Sequence, residues 1–269
     1  MKKLIAGFLV LFFLLTPCLS EAEVMVTSGL TQEEICEVGE TYKGVITLSN
    51  TSSEPQEVKI YQTDYLFFCD GRNIYGEPGE FHRSNANWIT LTPPILTVPP
   101  NGMSTVSYTV DVPDDENLVG TYWSMLMVEP LSEAPPEEVK AEEEEIKIGI
   151  RTVIRYGIQI VTNIGDSGKR ELEILDRQLT REGEDYLLSL DLENTGEHWL
   201  RPEVRAEIYD EEGRLLGKKG GEKYRIYPGT SVRATLNLGA LSKGKYKVLV
   251  VIDNGDQYIW GAQYSLNLQ

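Results

Sequence analysis

The run Ile146–Ile164, IKIGIRTVIRYGIQIVTNI, organises the reading of this chain. Its even positions are all apolar or β-branched, from Ile146, Ile148 and Ile150 through Ile154, Ile158 and Ile160 to Ile164. Its odd positions include Lys147, Arg151, Arg155, Gln159 and Asn163. A period of two belongs to a pleated strand with one face buried and one face wet. At about 3.3 Å per residue the run reaches roughly 60 Å, whereas an ordinary strand holds about 5–6 residues. Two collinear strands hinged near Gly157 fit this length, and so does one strand that overruns its own sheet. The overrun is either a last strand entering a linker or an edge held open for a partner's backbone.

From residue 24 onward short alternating runs recur between turn residues, and no amphipathic helix appears. That is the pattern of a β-sandwich. Strands are expected over 24–27, 41–49, 57–68, 89–92, 104–112 and 122–129 before the long run, and over 171–180, 186–193, 203–209, 224–226, 232–238, 246–253 and 257–268 after it. The two halves match in order. Asn50-Thr51-Ser52 and Asn194-Thr195-Gly196 each close a strand, and Glu57-Val58 and Glu203-Val204 each open the next. Pro100-Asn101-Gly102 is answered by Pro228-Gly229, and Gly120-Thr121-Tyr122 by Gly244-Lys245-Tyr246. Asn, Gly and Pro recur because tight turns need positive or preset φ. The Gly-x-Tyr entries are similar to the corner where a tyrosine hydroxyl ties a sandwich strand to nearby backbone. The expected fold is therefore all-β, two tandem immunoglobulin-like β-sandwich domains, spanning 23–164 and 165–269. The short linker Asn163–Lys169 marks the boundary, and the Glu-rich insertion 131–145, LSEAPPEEVKAEEEE, forms a loop within the first domain.

Lys2 and Lys3, the apolar run Leu4–Leu15 and the small residues Ser20 and Ala22 have the layout of a secretory signal peptide over 1–22. No later run approaches the roughly 20 apolar residues of a membrane span. The expected protein is periplasmic or extracellular, without membrane insertion once the signal is cleaved. A formal net charge of −17 repels phosphate backbones and argues against nucleic acid as a partner. In an oxidising compartment the even pair Cys36 and Cys69 suggests a disulfide, since both lie at one end of the first sandwich.

Catalytic chemistry has little to stand on. The chain holds 2 histidines, His82 and His198, neither with ligands at metal spacing, and no nucleophile elbow or phosphate-cradling loop. Gly217–Gly221, GKKGG, reads as a flexible hairpin tip. No enzyme activity, cofactor or metal is expected. Trp88, Trp123, Trp199 and Trp260 raise the question of a sugar platform, with Trp123 a core residue and Trp199 and Trp260 at the rim.

Asn50-Thr51-Ser52, Trp88-Ile89-Thr90-Leu91-Thr92-Pro93, Val98-Pro99-Pro100-Asn101-Gly102, Val112-Pro113 and Gly120-Thr121-Tyr122-Trp123 together resemble the first domain of periplasmic pilus-assembly chaperones. They are also similar to the first immunoglobulin-like domain of WxL-interacting surface proteins. In the chaperones the last strand of the first domain lends alternating hydrophobic residues to an incomplete subunit, completing its sandwich by strand addition. The resemblance assigns that part to Ile146, Ile148, Ile150 and Ile154. It assigns the capture of a subunit's terminal carboxylate to Lys147, Arg151 or Arg155. The family's basic residue on the first strand has no match, because Glu23–Tyr42 contains no Lys or Arg. The implied partner is an exported protein subunit. The rival expectation is a structural or adhesive envelope module that touches glycan or a neighbouring surface protein.

Overall fold

The computed structural model describes residues 24–131 and 153–269. The first sandwich contains β1 (Val24–Val26), β2 (Thr31–Cys36), β3 (Thr41–Asn50), β4 (Gln56–Phe67), β5 (Asn73–Gly76), β6 (Ile89–Thr92), β7 (Ile95–Val98), β8 (Met103–Asp111), β9 (Gly120–Leu131) and β10 (Tyr156–Ile164). One of its sheets has the order β1-β3-β8-β6. The other runs β2-β10-β9-β4, with β5 and β7 sharing the far side of β4. The second sandwich contains β11 (Leu172–Glu182), β12 (Asp185–Asn194), β13 (Glu203–Tyr209), β14 (Leu215–Lys223), β15 (Ser231–Ala240), β16 (Gly244–Asp253) and β17 (Ile259–Leu268). Its sheets are β11-β12-β15 and β14-β13-β16-β17.

Alternation puts one row of each strand inside. Ile46, Leu48, Val106 and Val110 face Val58, Ile60, Leu126, Val128, Ile158 and Ile160 in the first core. Leu190, Leu192, Ala234 and Leu236 face Val204, Ile208, Val248 and Val250 in the second. Each buried Val, Leu or Ile among them stabilises by about 1.5–3 kcal/mol relative to exposure. The two cores share no residue.

The matched landmarks are matched in bonding. Asn50 is buried, its Nδ2 donating to the carbonyls of Glu54 and Val98 while its Oδ1 accepts from the Ser52 N–H. Asn194 is buried likewise, Nδ2 donating to His198 and Ile226 carbonyls and Oδ1 accepting from the Gly196 N–H. The turns that follow also correspond: the Asn50 N–H donates to the Gly102 carbonyl, and the Asn194 N–H to the Thr230 carbonyl. Asn101 and Gly229 both take positive φ, 48° and 72°, where a β-branched residue would be strained. The tyrosine corner is present once. The Tyr246 hydroxyl donates to the Ser242 carbonyl, whereas Tyr122 packs its ring 4.8 Å from Trp88 beneath the Arg83 guanidinium.

Several expectations need correction. Cys36 and Cys69 are free thiols. Cys36 ends β2 and Cys69 follows β4, and β10 and β9 lie between those strands. Three strand spacings of about 4.8 Å far exceed the Cα separation, under about 7 Å, that a disulfide tolerates. Burial and the carboxylates of Glu40, Glu34 and Glu37 push the Cys36 thiol up to about 11, so it stays protonated and unreactive at neutral pH. The strand expected over 224–226 reduces to a bridge between Leu200 and Ile226. Gly217–Gly221 lies inside β14 and is no hairpin tip. The strands β2, β5, β7 and β14 were not anticipated. Of the Glu-rich insertion only Leu131, at the end of β9, falls among the described residues, and the expected leader over 1–22 lies outside them.

Replacing Asn194 with Ala removes three hydrogen bonds from a dry site, at about 1 kcal/mol each plus the desolvation left behind. Urea titration should show a loss of at least about 3 kcal/mol. Asn194→Asp should cost at least as much, because its carboxylate would confront the two carbonyls that the amide now serves. An Asp variant as stable as wild type would show that the amide donors contribute nothing.

Candidate functional site

The strand β10 has unequal neighbours. On one side β9 covers its whole length, from Tyr156 opposite Val128 to Ile164 opposite Gly120. On the other side β2 runs parallel and pairs only Gln159–Ile164. Among the described residues Tyr156–Ile158 therefore have no strand on that side, and β9 runs on past them to Leu131. Val153 and Ile154 lead into this open stretch with their side chains exposed. The result is a step in the sheet: a backbone edge next to apolar side chains, of the kind an added strand can occupy.

Gly157 lies within that step for a steric reason. A Cβ there would sit 2.3 Å from the Met125 sulfur, so any side chain would have to push aside the Met125 side chain on β9. Beside it, Arg155 pairs with Glu129 at 2.9 Å. Glu129 also holds the Tyr61 hydroxyl, which burial and this carboxylate push upward in pKa. Exposed pairs of this kind contribute about 0–1 kcal/mol, so Arg155 can exchange partners at little cost.

The other end of β10 is fixed differently. Ile158, Ile160, Thr162 and Ile164 are buried as expected, but Val161 and Asn163 on the opposite face are buried too. The face expected to be wet is covered by the second sandwich. Tyr227, fully buried, lies between two indoles, stacked at 4.7 Å on Trp123 and at 5.5 Å on Trp199, and Phe67 meets it edge-on. Val161 packs in the same cluster. Offset or stacked aromatic pairs add about 0.5–1.5 kcal/mol each beyond burial. Trp199, expected at the rim, is buried, and Arg201 and Arg225 lie against its ring. Trp123 and Trp199 thus have their faces filled by protein, while Trp88 and Trp260 are half-buried beside Tyr122 and Tyr258.

Polar contacts complete the joint. The Tyr227 hydroxyl donates to Gln159 Oε1 at 2.7 Å, and Thr31 Oγ1 donates to the same oxygen. Thr121 is held twice: its N–H donates to the Glu197 carbonyl and its hydroxyl to Asn163 Oδ1 at 2.6 Å, while the Trp199 N–H donates to that hydroxyl. Asn163 Nδ2 reaches Glu33, which also pairs with Arg201. An open groove of about 330 Å³ between the sandwiches is lined by Glu33, Asn163, Arg170, His198, Arg201 and Asp256 among others. There His198 Nδ1 lies 3.0 Å from the Ser167 carbonyl, and burial together with the Arg170 charge lowers its pKa. Among the described residues no group of three His, Cys, Asp or Glu side chains converges on a metal-sized site.

Of the residues singled out from the sequence, Ile154 and Arg155 sit at the open step. Ile146, Lys147, Ile148, Ile150 and Arg151 lie outside the described residues. Gln159 and Tyr227, which bind β10 to the second sandwich, and Arg225, which reaches Thr31 and the Trp199 ring, were missed as functional positions, and Trp199 was singled out only as a rim residue. Their only sequence signal was a cluster of aromatic and basic residues beside the strand-closing turns.

No family model matches the chain, and no curated protein does either. Among solved structures the fold is similar to a chaperone–tip adhesin complex of CFA/I fimbriae biogenesis, at 13% identity over 91% of this chain and 98% of that one, with a TM-score of 0.46. It is similar to the class 5 fimbriae chaperone CfaA, at 14% identity over 90% and 98%, TM-score 0.45. A third is the CsuC–CsuE chaperone–tip adhesion subunit pre-assembly complex of Acinetobacter baumannii, at 15% identity over 90% and 98%, TM-score 0.45. Among the described residues no helix is long and apolar enough to cross a membrane.

Tyr227→Ala should cost about 3–5 kcal/mol and split a single calorimetric transition into two, as the sandwiches lose their common cluster. Tyr227→Phe keeps the stack, loses one hydrogen bond and should cost about 1 kcal/mol. An Ala variant that melts as wild type would show the stack to be incidental.

His198 gives a pH signature. Its folded pKa lies below the ordinary 6.5, so the unfolded chain takes up the proton first as pH falls. Stability is full above about 6.5 and declines through that value toward the lower folded pKa. Arg170 and Arg201 oppose the proton, and Asp166 only partly offsets them. Denaturant titrations of His198→Gln should show a shallower stability slope between about pH 6.5 and 5 than wild type. Equal slopes would remove His198 from the account.

Proposed function

We propose that this is an exported, non-catalytic protein that holds another exported polypeptide by β-strand addition, as a pilus- or surface-subunit assembly chaperone does. The observation that carries the reading is the step at Tyr156–Ile158, where β10 is paired by β9 on one side and has no described strand on the other. A client strand laid along that step satisfies backbone groups that water otherwise solvates. The alternating residues Ile146, Ile148, Ile150 and Ile154 then enter the client's own core. On this reading residues 23–164 form the working domain, and 165–269 brace β10 from behind. Lys147, Arg151 and Arg155 offer positive charge beside the ladder, and Arg155 can release Glu129 for a client carboxylate. The leader-like residues 1–22 supply the export.

The test is the double variant Ile148→Thr/Ile150→Thr, which keeps β propensity and removes the apolar ladder. Tagged wild type recovered from the exported fraction should retain a polypeptide identifiable by mass spectrometry. In that complex hydrogen exchange at 146–158 should be slowed. The variant should lose the polypeptide and keep its melting temperature. A variant that melts early, or that retains the same polypeptide, would place these isoleucines in an ordinary core or outside the interface.

A further inference from the structure

A second edge in this molecule is built for pairing, independently of the reading above. The other edges of the second sandwich are blunted. The β11 ladder is broken between Ile174 and Asp176, and the strand carries Asp176, Arg177 and Arg181. The β14 ladder shifts register twice, and the strand carries Lys218, Lys219 and Lys223. In β15, Tyr186 pairs with Gly239 and Leu187 with Asn237, which leaves Leu238 bulged out of the ladder. Bulges and charges are the devices by which proteins prevent one sheet from adding to another.

The strand β17 has neither. Its sequence IWGAQYSLNL carries no charge and no proline. It keeps one continuous register with β16, from Asp253 opposite Ile259 to Gly244 opposite Leu268. Its outer row, Ile259, Gly261, Gln263, Ser265 and Asn267, is exposed, with Ile259 at 59%. In the first sandwich the edge strands are short (β1, β5, β6 and β7) or, in β2, carry Glu33 and Glu34. Among the described residues β17 is thus the long, regular, uncharged edge.

We propose that β17 pairs antiparallel with β17 of a second copy about a two-fold axis, joining two four-stranded sheets into one of eight. Charge selects this occupant. A chain of net charge −17 repels its own copies over most of its surface, and an uncharged strand lets two copies approach. The adjacent β16 adds Lys245 and Lys247 on the exposed face, and no acid before Asp253. With the axis at Gln263, its amide meets the same amide of the other copy, Gly261 meets Ser265, and Ile259 meets Asn267. No pair brings like charges together, and an isologous contact closes as a dimer.

Analytical ultracentrifugation of the full chain, at up to about 100 μM, tests this. Wild type should sediment as a concentration-dependent dimer, favoured by added salt, which screens the acidic repulsion. Gln263→Lys/Ser265→Lys places like charges across the axis and should weaken the dimer at least about tenfold while leaving the melting temperature unchanged. Gln263→Cys should give a disulfide-linked dimer on mild oxidation. A wild type that stays monomeric throughout would overturn the proposal. So would a dimer indifferent to the lysines, or a β17 edge protected from exchange only in the presence of a different polypeptide.

Discussion

The molecule depends on β10 serving two masters at once. Its even residues close the first core, and at its C-terminal half the odd residues Val161 and Asn163 close the contact with the second sandwich. A one-residue shift in register would turn Gln159 and Asn163 into the apolar first core and send Ile160 into the joint in place of Val161, so each row is held to its own side. Tyr227 enforces this from outside, since its ring fills the gap between Trp123 and Trp199 while its hydroxyl holds Gln159. The strand is therefore anchored where it meets the second sandwich and open where it leaves β2 behind.

Much of this was legible in the residue pattern, for a physical reason. A sandwich strand with one wet face writes its period directly into the sequence, so β3, β4, β8, β12, β13 and β16 fall within a residue or two of expectation. The doubled architecture was legible because Asn50 and Asn194 each solve the same problem, the satisfaction of three backbone groups at a buried strand end, and few other side chains can solve it. Strands held by tertiary supply left no such mark. In β2, TQEEIC shows no alternation, yet Gln32 spans the sheets to Val45 and Tyr108, and Glu33 answers Asn163. The lysines and glycines of β14 read as a loop because an edge strand is protected by the very residues that obscure it.

The misreadings at Cys36–Cys69 and Trp199 share a cause. Both depend on how strands are ordered across a sheet and on how two domains meet, and neither quantity is periodic in sequence. Proximity to the same end of the sandwich placed the cysteines at the same height, but sheet order separated them laterally. For the candidate site the sequence supplied the ladder and its flanking charges, while the step beyond Thr31, where β2 begins to pair, came only from the structure.

Edge control allows the two proposed roles, strand addition at β10 and dimerisation at β17, to use separate edges of one chain. An edge that accepts a foreign strand must be stiff, since a backbone that wanders loses as much entropy on docking as it gains in hydrogen bonds. At β10 the stiffness comes from β9 on one flank and from the aromatic joint behind. At β17 it comes from ten unbroken pairs with β16. The two edges differ in what they offer. On the proposed readings, the apolar ladder leading into β10 would select a partner short of core, whereas the small and polar outer row of β17 offers backbone with little side-chain demand and would suit an identical strand. Bulges and charges on the remaining edges of the second sandwich then confine pairing there to the strand that lacks them.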